Sequence, residues 1–149
     1  GYDSLFVSSI VDSFDFEKYD YIITYQKKLI DLKLIDYVAM DVKNCFEKYE
    51  LTTGLVNINT DKILKSINLL KEGRVDYEFR TTLVNEFHNI DDIKKIANLL
   101  KGSKKYFLQK YVKNVNCINQ HLTPGPYHIV KEFEKKLKPN IEYIGLRGY

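Results

Sequence analysis

Residues 74–84, RVDYEFRTTLV, alternate strictly between apolar and polar side chains. Val75, Tyr77, Phe79, Thr81 and Leu83 fall on one side of the pleat, and Asp76, Glu78, Arg80 and Thr82 on the other. That period predicts a strand with one apolar and one polar face. Three other segments read as strands: residues 35–43, where an apolar run from Tyr37 to Met40 closes on Asp41 and Lys43; KKYFLQKYV at 104–112; and IEYIGLR at 141–147. Between them the period becomes helical. Leu29, Ile30, Lys33 and Leu34 are at helical spacing within residues 25–34. Ile63, Ile67 and Leu70 mark a helix that Asn59 or Thr60 can cap and Gly73 stops. Ile93, Ile96, Ala97 and Leu100 mark another, capped by Asn89 and ended by Gly102, and Ile129, Val130, Phe133 and Leu137 a last one between Pro126 and Pro139. Upstream, residues 5–11 predict a strand, residues 12–20 a turn, and residues 19–24 a short strand or the entry to a helix.

Strand and helix thus alternate with no hairpin dipeptide between successive strands. This order predicts an α/β fold of parallel strands joined by right-handed helical crossovers. Parallel strands covered on both faces read as continuous apolar runs, and residues 74–84 do not. Their apolar side suits a layer of helices, while their polar side has to meet solvent, a ligand or other polar groups. Ligands in such sheets bind at the carboxyl ends of the strands. Asp41 with Lys43, Glu78 with Arg80 and Thr82, and Gln109 with Tyr111 would together form a polar pocket there. Arg80 and Lys43 can hold a carboxylate or phosphate, Asp41 a cation or ammonium, and Tyr111 can stack on a base. A sheet face in water gives the same alternation, and both readings stand at this point.

Composition narrows the function classes. The 149 residues are 44% hydrophobic and 29% charged, an ordinary globular balance sufficient for one core. No apolar run approaches a membrane span and no signal peptide opens the chain, so the expected location is the cytoplasm. The net charge of +3 is dispersed, and the pairs Lys94–Lys95, Lys104–Lys105 and Lys135–Lys136 read as solvated helix faces rather than a nucleic-acid stripe. The two cysteines, Cys45 and Cys117, have neither zinc nor iron–sulfur spacing. His88, His121 and His128 are scattered, no serine sits in a nucleophile elbow, and no glycine-rich phosphate loop is present. His88 reads as a loop residue, and Asp76 and Glu78 read as balancing Arg74 and Arg80.

LIDYVAMDVKN (34–44), followed by YEFRTTLVNEFHNIDDIKKIANLLKGSKKYFLQKYV (77–112), resembles the carboxyl-terminal half of the radical S-adenosylmethionine activases. The resemblance is in particular to the activating proteins of anaerobic ribonucleotide reductase, and it covers about Tyr25 to Lys113. It implies a partial, open half-barrel of parallel βα units over 25–149, with residues 1–24 as a separate N-terminal segment, a strand or the truncated start of the barrel. In that family a 4Fe–4S cluster binds S-adenosylmethionine and cleaves it to a radical that takes hydrogen from a backbone glycine of a glycyl radical enzyme. By resemblance, Asp41 and Lys43 match an Asp-x-Lys pair near the cofactor's methionine end. Arg80 matches the arginine that meets its carboxylate, with Glu78 beside it on the same face, and Gln109 to Tyr111 fall near its adenine.

The family's Cys-x3-Cys-x2-Cys run, its Gly-Gly-Glu-Pro strand and its Asp-Thr-Asn-Gly strand are absent from this sequence. VSSIVDS at 7–13 resembles the Ser-Leu-Val-Asp opening of these activases, which implies a deletion between it and Tyr25. Two readings follow. One is a truncated or degenerate activase that recognises the cofactor and needs a cluster-bearing partner piece to catalyse. The other is a cluster-free binding or interaction protein using the inherited pocket or docking surface. A half-barrel leaves a strand edge open, so either residues 5–24 fold back over it or two chains pair as a homodimer, the latter slightly favoured.

Overall fold

A computed structural model describes residues 25–113 and 119–149. The expectations for residues 5–24, the VSSIVDS segment and Cys117 lie outside the described residues. Helix α1 occupies residues 25–31. It is followed by β1 (Tyr37–Asp41), a 3-10 turn (Phe46–Lys48), α2 (Tyr49–Thr53), α3 (Thr60–Lys71), β2 (Asp76–Leu83), α4 (Ile90–Leu99), β3 (Ser103–Lys110), α5 (Tyr127–Leu137) and β4 (Ile141–Arg147). The strands form one sheet in the order β1-β2-β3-β4, and every neighbouring pair is parallel. This is the α/β arrangement of parallel βα units that the alternation predicts.

The helix starts obey their local chemistry. The Asn59 side chain accepts from the Asp61 amide at the head of α3. At α4, Asn89 accepts from the amides of Asp91 and Asp92 while the Asp92 carboxylate accepts from the Asn89 amide, a complete capping box. Gly73 and Gly102 follow α3 and α4 with φ of 72° and 82°, a left-handed conformation that favours glycine. The short helical stretch from Phe46 to Thr53 carries too few residues to show a period, and the sequence pattern does not reveal it.

One apolar cluster joins sheet and helices. Tyr77, Phe79 and Leu83 of β2 are buried with Tyr106 and Leu108 of β3, against Ile67 of α3, Ile96 of α4 and Leu137 of α5. Burial contributes roughly 1.5–3 kcal/mol for each such large side chain. Thr81 lies on this face without leaving an orphan hydroxyl. It accepts from Tyr106 Oη at 2.6 Å and donates to the Val42 carbonyl, which ties β1, β2 and β3 together inside the core.

Replacing Asn89 with Ala removes the acceptor for two helix amides. It is expected to lower the unfolding free energy by about 1–2 kcal/mol, while Asn89→Asp, which keeps the acceptor, stays near the parent. Urea denaturation of the three proteins checks this, and superimposable curves for parent and Asn89→Ala would refute it.

Candidate functional site

The parallel register decides which side chains of the polar face meet. Asp41 of β1 is paired with Arg80 of β2, Arg80 with Phe107 of β3, and Phe107 with Gly145 of β4. A second row nearer the carboxyl ends runs Thr82, Gln109, Arg147. Side chains two residues apart share a face, so Tyr37, Glu78 and Tyr143 also lie on this side of the sheet.

Two ion-pair groups occupy it. In the first, Arg80 Nε donates to Asp41 Oδ1 at 2.9 Å and Lys43 Nζ donates to Asp41 Oδ2 at 3.0 Å. The pair that gives strand 35–43 its charged end is thus a link to the neighbouring strand as well as an internal bridge. In the second, Arg147 grips Glu78 with both terminal nitrogens, Nη1 to Oε1 at 2.6 Å and Nη2 to Oε2 at 2.8 Å. Tyr37 Oη adds a third donor to Oε2 at 2.7 Å. Glu78 is 4% exposed. Burial by itself would raise its carboxyl pKa, but the Arg147 and Tyr37 hydrogen bonds and the charges of Arg147 and Arg80 outweigh it and hold the group below its ordinary value. Burial and the bond to this carboxylate push the Tyr37 phenol up to about 12.

The aromatic floor beneath Arg147 depends on a missing side chain. Its guanidinium carbon lies 3.6 Å from the Phe107 ring centroid. A Cβ on Gly145 would stand 2.4 Å from Phe107 Cε1, so only glycine leaves room for the ring to lie across β4.

The backbone that presents Lys43 is fixed from several sides. The Val42 amide donates to the Arg80 carbonyl at 2.8 Å, and the Lys43 amide to Tyr49 Oη at 3.2 Å. His88 Nε2 lies 2.9 Å from the Lys43 carbonyl while Nδ1 is 3.2 Å from the Val84 amide. Nδ1 also lies 3.1 Å from the Val84 carbonyl, so both ring nitrogens face backbone carbonyls, of Lys43 and of Val84. Burial lowers the His88 pKa, more strongly than the surrounding carbonyls raise it. Fully buried Asn44 accepts from the Cys45 amide and donates to Thr52 Oγ1 and the Phe87 carbonyl. The loops after β1 and β2 are therefore one hydrogen-bonded unit.

Of the residues singled out in the sequence, Asp41, Lys43, Glu78 and Arg80 come together on adjacent strands. Gln109 shares their face in the row of Thr82 and Arg147, and Tyr111 lies just past the end of β3. The expected charge balance is corrected in one respect. Arg74 turns to Asp31 and Glu72, and the partner of Glu78 is Arg147 from the last strand. Arg147 and Tyr37 are the residues the sequence reading missed. The available signal was the parity of Gly145 and Arg147, a bare position followed by a charge on the face that also carries Ile141 and Tyr143.

The donor set does not suit an iron–sulfur cluster. A cluster open to a cofactor takes three thiolates, and the sequence has two cysteines. Cys45 is buried, its thiol directed at Asp92 Oδ1 at 3.6 Å and its pKa raised by that burial. Among the described residues no group of three or more His, Cys, Asp or Glu is arranged to hold a metal ion. No helix among them is long and apolar enough to cross a membrane.

Comparison with known proteins finds relatives in sequence and in structure. A protein of Methanocaldococcus jannaschii, provisionally named a glycyl-radical enzyme activating enzyme, is 41% identical over 91 residues. The match takes in 57% of this chain and 37% of that protein, so this chain is homologous to somewhat over a third of its relative's length. The crystal structure of a domain of pyruvate-formate lyase-activating enzyme from Bacteroides vulgatus superposes with a TM-score of 0.58 over 88% of this chain and 74% of that one, at 15% identity. At that identity the likeness establishes the fold. No family model matches the chain.

Acid should destabilise the protein in two windows. His88 has a folded pKa below its ordinary 6.5, so the unfolded chain takes up that proton first and stability falls as pH drops from 6.5. Glu78 is depressed below 4.5, so its contribution is complete above that pH and is lost as pH falls further. His88→Gln is expected to flatten the upper window. Glu78→Gln is expected to shrink the lower one without removing it, since Glu134 is depressed as well, by its bond to Lys131. Unfolding free energy measured from pH 8 to 3 checks both, and wild-type slopes in the two variants would refute the assignments.

Proposed function

We propose that this chain is the cofactor-recognising βα portion of a glycyl-radical-enzyme activase-like protein, formed by residues 25–149. Its polar sheet face receives the amino-acid end of S-adenosylmethionine or a ligand of the same shape. Its partner is a glycyl radical enzyme, and the resemblance of residues 34–44 and 77–112 favours anaerobic ribonucleotide reductase. The carrying observation is the unfinished bonding of Arg80. Its side chain is only 15% exposed and gives Nε to Asp41, while neither terminal nitrogen has a partner among the described residues. A half-buried guanidinium with spare donors suits a ligand carboxylate. Lys43 lies on the other side of Asp41, where it can share that carboxylate, and Asp41 can accept from an ammonium. Gln109 and Tyr111 continue the face toward the nucleoside part. The 41% identity to the activating enzyme supports this reading. Reductive cleavage of the cofactor calls for a set of three thiolates, which these residues do not provide.

A second reading is favoured by the same carboxylate. Both oxygens of Asp41 are already matched, by Arg80 and by Lys43, so the charges are balanced without a ligand. On that basis the chain is a cluster-free interaction protein, alone or as a homodimer.

Calorimetric titration of S-adenosylmethionine separates the two. The first reading expects binding that Arg80→Ala and Lys43→Ala each weaken by about tenfold, the loss of a charge-assisted hydrogen bond. A folded chain that takes up no S-adenosylmethionine would overturn it and leave the second.

A further inference from the structure

We infer that the outer edge of β4 is the surface through which two copies of this chain pair, antiparallel about a twofold axis at Gly145. The inference stands apart from ligand recognition and uses none of the residues assigned to it. The two outer strands of the sheet are not alike. Among the described residues each has a neighbour on one side only. β1 is five residues long, is preceded by Asp36 and ends on Asp41. A short edge bounded by charge resists pairing with another strand. β4 is seven residues long, and its run from Tyr143 to Leu146 carries no charge. The core side of the two edges differs as well. Val38 and Val42 at the β1 edge are buried and Met40 is half-buried, whereas Ile144 and Leu146, which pack on the core from β4, are both half-buried. On the other face Tyr143 is 54% exposed. The β4 edge is therefore the one with apolar surface left to cover.

The strand is complementary to itself, which selects a second copy as the occupant. A twofold pairing makes every contact twice. With the axis at Gly145, opposed residues share a face of the joined sheet, and the glycines meet where any side chain would face its own image. Ile144 then stands opposite Leu146 of the second copy on the core side. Tyr143 stands opposite Arg147 of the second copy on the polar side, a favourable pairing of ring and guanidinium. Glu142 comes opposite Gly148 of the second copy. The residue beside Gly148 is Lys110, since a Cβ on Gly148 would stand 3.2 Å from Lys110 Cβ. Glu142 is exposed and has no ion-pair partner among the described residues, and exposed Lys110 has only the Tyr149 ring, 6.0 Å from its Nζ. Each carboxylate thus gains an ammonium across the interface. Other registers lose this match. An axis at Ile144 sets Glu142 against Leu146, and an axis at Leu146 leaves Ile144 opposite Gly148.

The charge pair supplies the test, because both of its members are exposed and can be exchanged without touching the core. Sedimentation equilibrium compares the full chain with Glu142→Lys, Lys110→Glu and the double variant that swaps the two charges. The parent chain is expected to dimerise reversibly. Each single variant turns two attractions into two repulsions and is expected to raise the dissociation constant about tenfold, and the swap to restore it within about twofold. Near-UV circular dichroism confirms that the variants are folded. Amide hydrogen exchange locates the interface, with protection in β4, and not in β1, rising with concentration. A parent chain that stays monomeric up to about 0.1 mM overturns the inference. So does a dimer that both single variants leave intact, or one that protects β1 instead. None of these outcomes bears on the titration of S-adenosylmethionine, whose residues lie on other strands.

Discussion

Glu78 carries a carboxylate in the middle of a sheet where 4% of the residue meets solvent, and the polar face is organised around that fact. A buried ion without partners is unfavourable by several kcal/mol. Its partners come from far along the chain. Tyr37 is 41 residues upstream on β1 and Arg147 is 69 residues downstream on β4. Both outer strands must therefore be in their final register before the charge on β2 is satisfied. Arg147 can reach only by passing over β3, and it passes over Phe107, which lies flat because position 145 is bare. One carboxylate thus links all four strands on the side of the sheet that the described helices leave uncovered.

The opposite side is held by apolar burial, and the two sides are coupled through parity. A slip of one residue in β2 would put Glu78 and Arg80 among the core side chains and turn Phe79 and Tyr77 outward. Thr81 makes the register stricter still. Its hydroxyl sits between Tyr106 Oη and the Val42 carbonyl, a bridge that only one register allows. The chain position after Val42 is Lys43, so a contact buried in the core also aims the cation on the other face.

The parts of this arrangement that were legible in the sequence are those that depend on near neighbours. Strict alternation over 74–84, the apolar repeat at Ile93, Ile96 and Ala97, and the cap at Asn89 each reflect interactions within a few residues, and such signals place the four strands and the helices α3, α4 and α5. Asp41, Lys43, Glu78 and Arg80 were legible because charge at a strand end is conspicuous against an apolar run. Arg147 was not, for a physical reason. Its partner is two strands away across a ring, and nothing local distinguishes an arginine that crosses a sheet from one that ends a strand in water. The expected balance of Asp76 and Glu78 by Arg74 and Arg80 has the same origin, since proximity in sequence suggested it, while Arg74 turns to Asp31 and Glu72 and Glu78 bonds to Arg147. His88 read as a loop residue and is one. What the pattern could not convey is that this loop is buried and holds the Lys43 carbonyl.

The internal pairing of these charges bears directly on what they can bind. An unpaired Arg80 and Lys43 would have to be desolvated and ordered by any ligand that arrived. Here Asp41 holds both in place. A carboxylate approaching the free nitrogens of Arg80 can add hydrogen bonds without breaking one, while an ammonium finds a carboxylate already oriented. Self-neutralisation and ligand recognition are therefore compatible on this face, the first supplying the rigidity that the second requires. Recognition of this kind needs only the register of the four strands, whereas cluster chemistry needs clustered thiolates, and Cys45 is committed to the core beside Asp92. The first requirement can therefore be met by residues that do not meet the second.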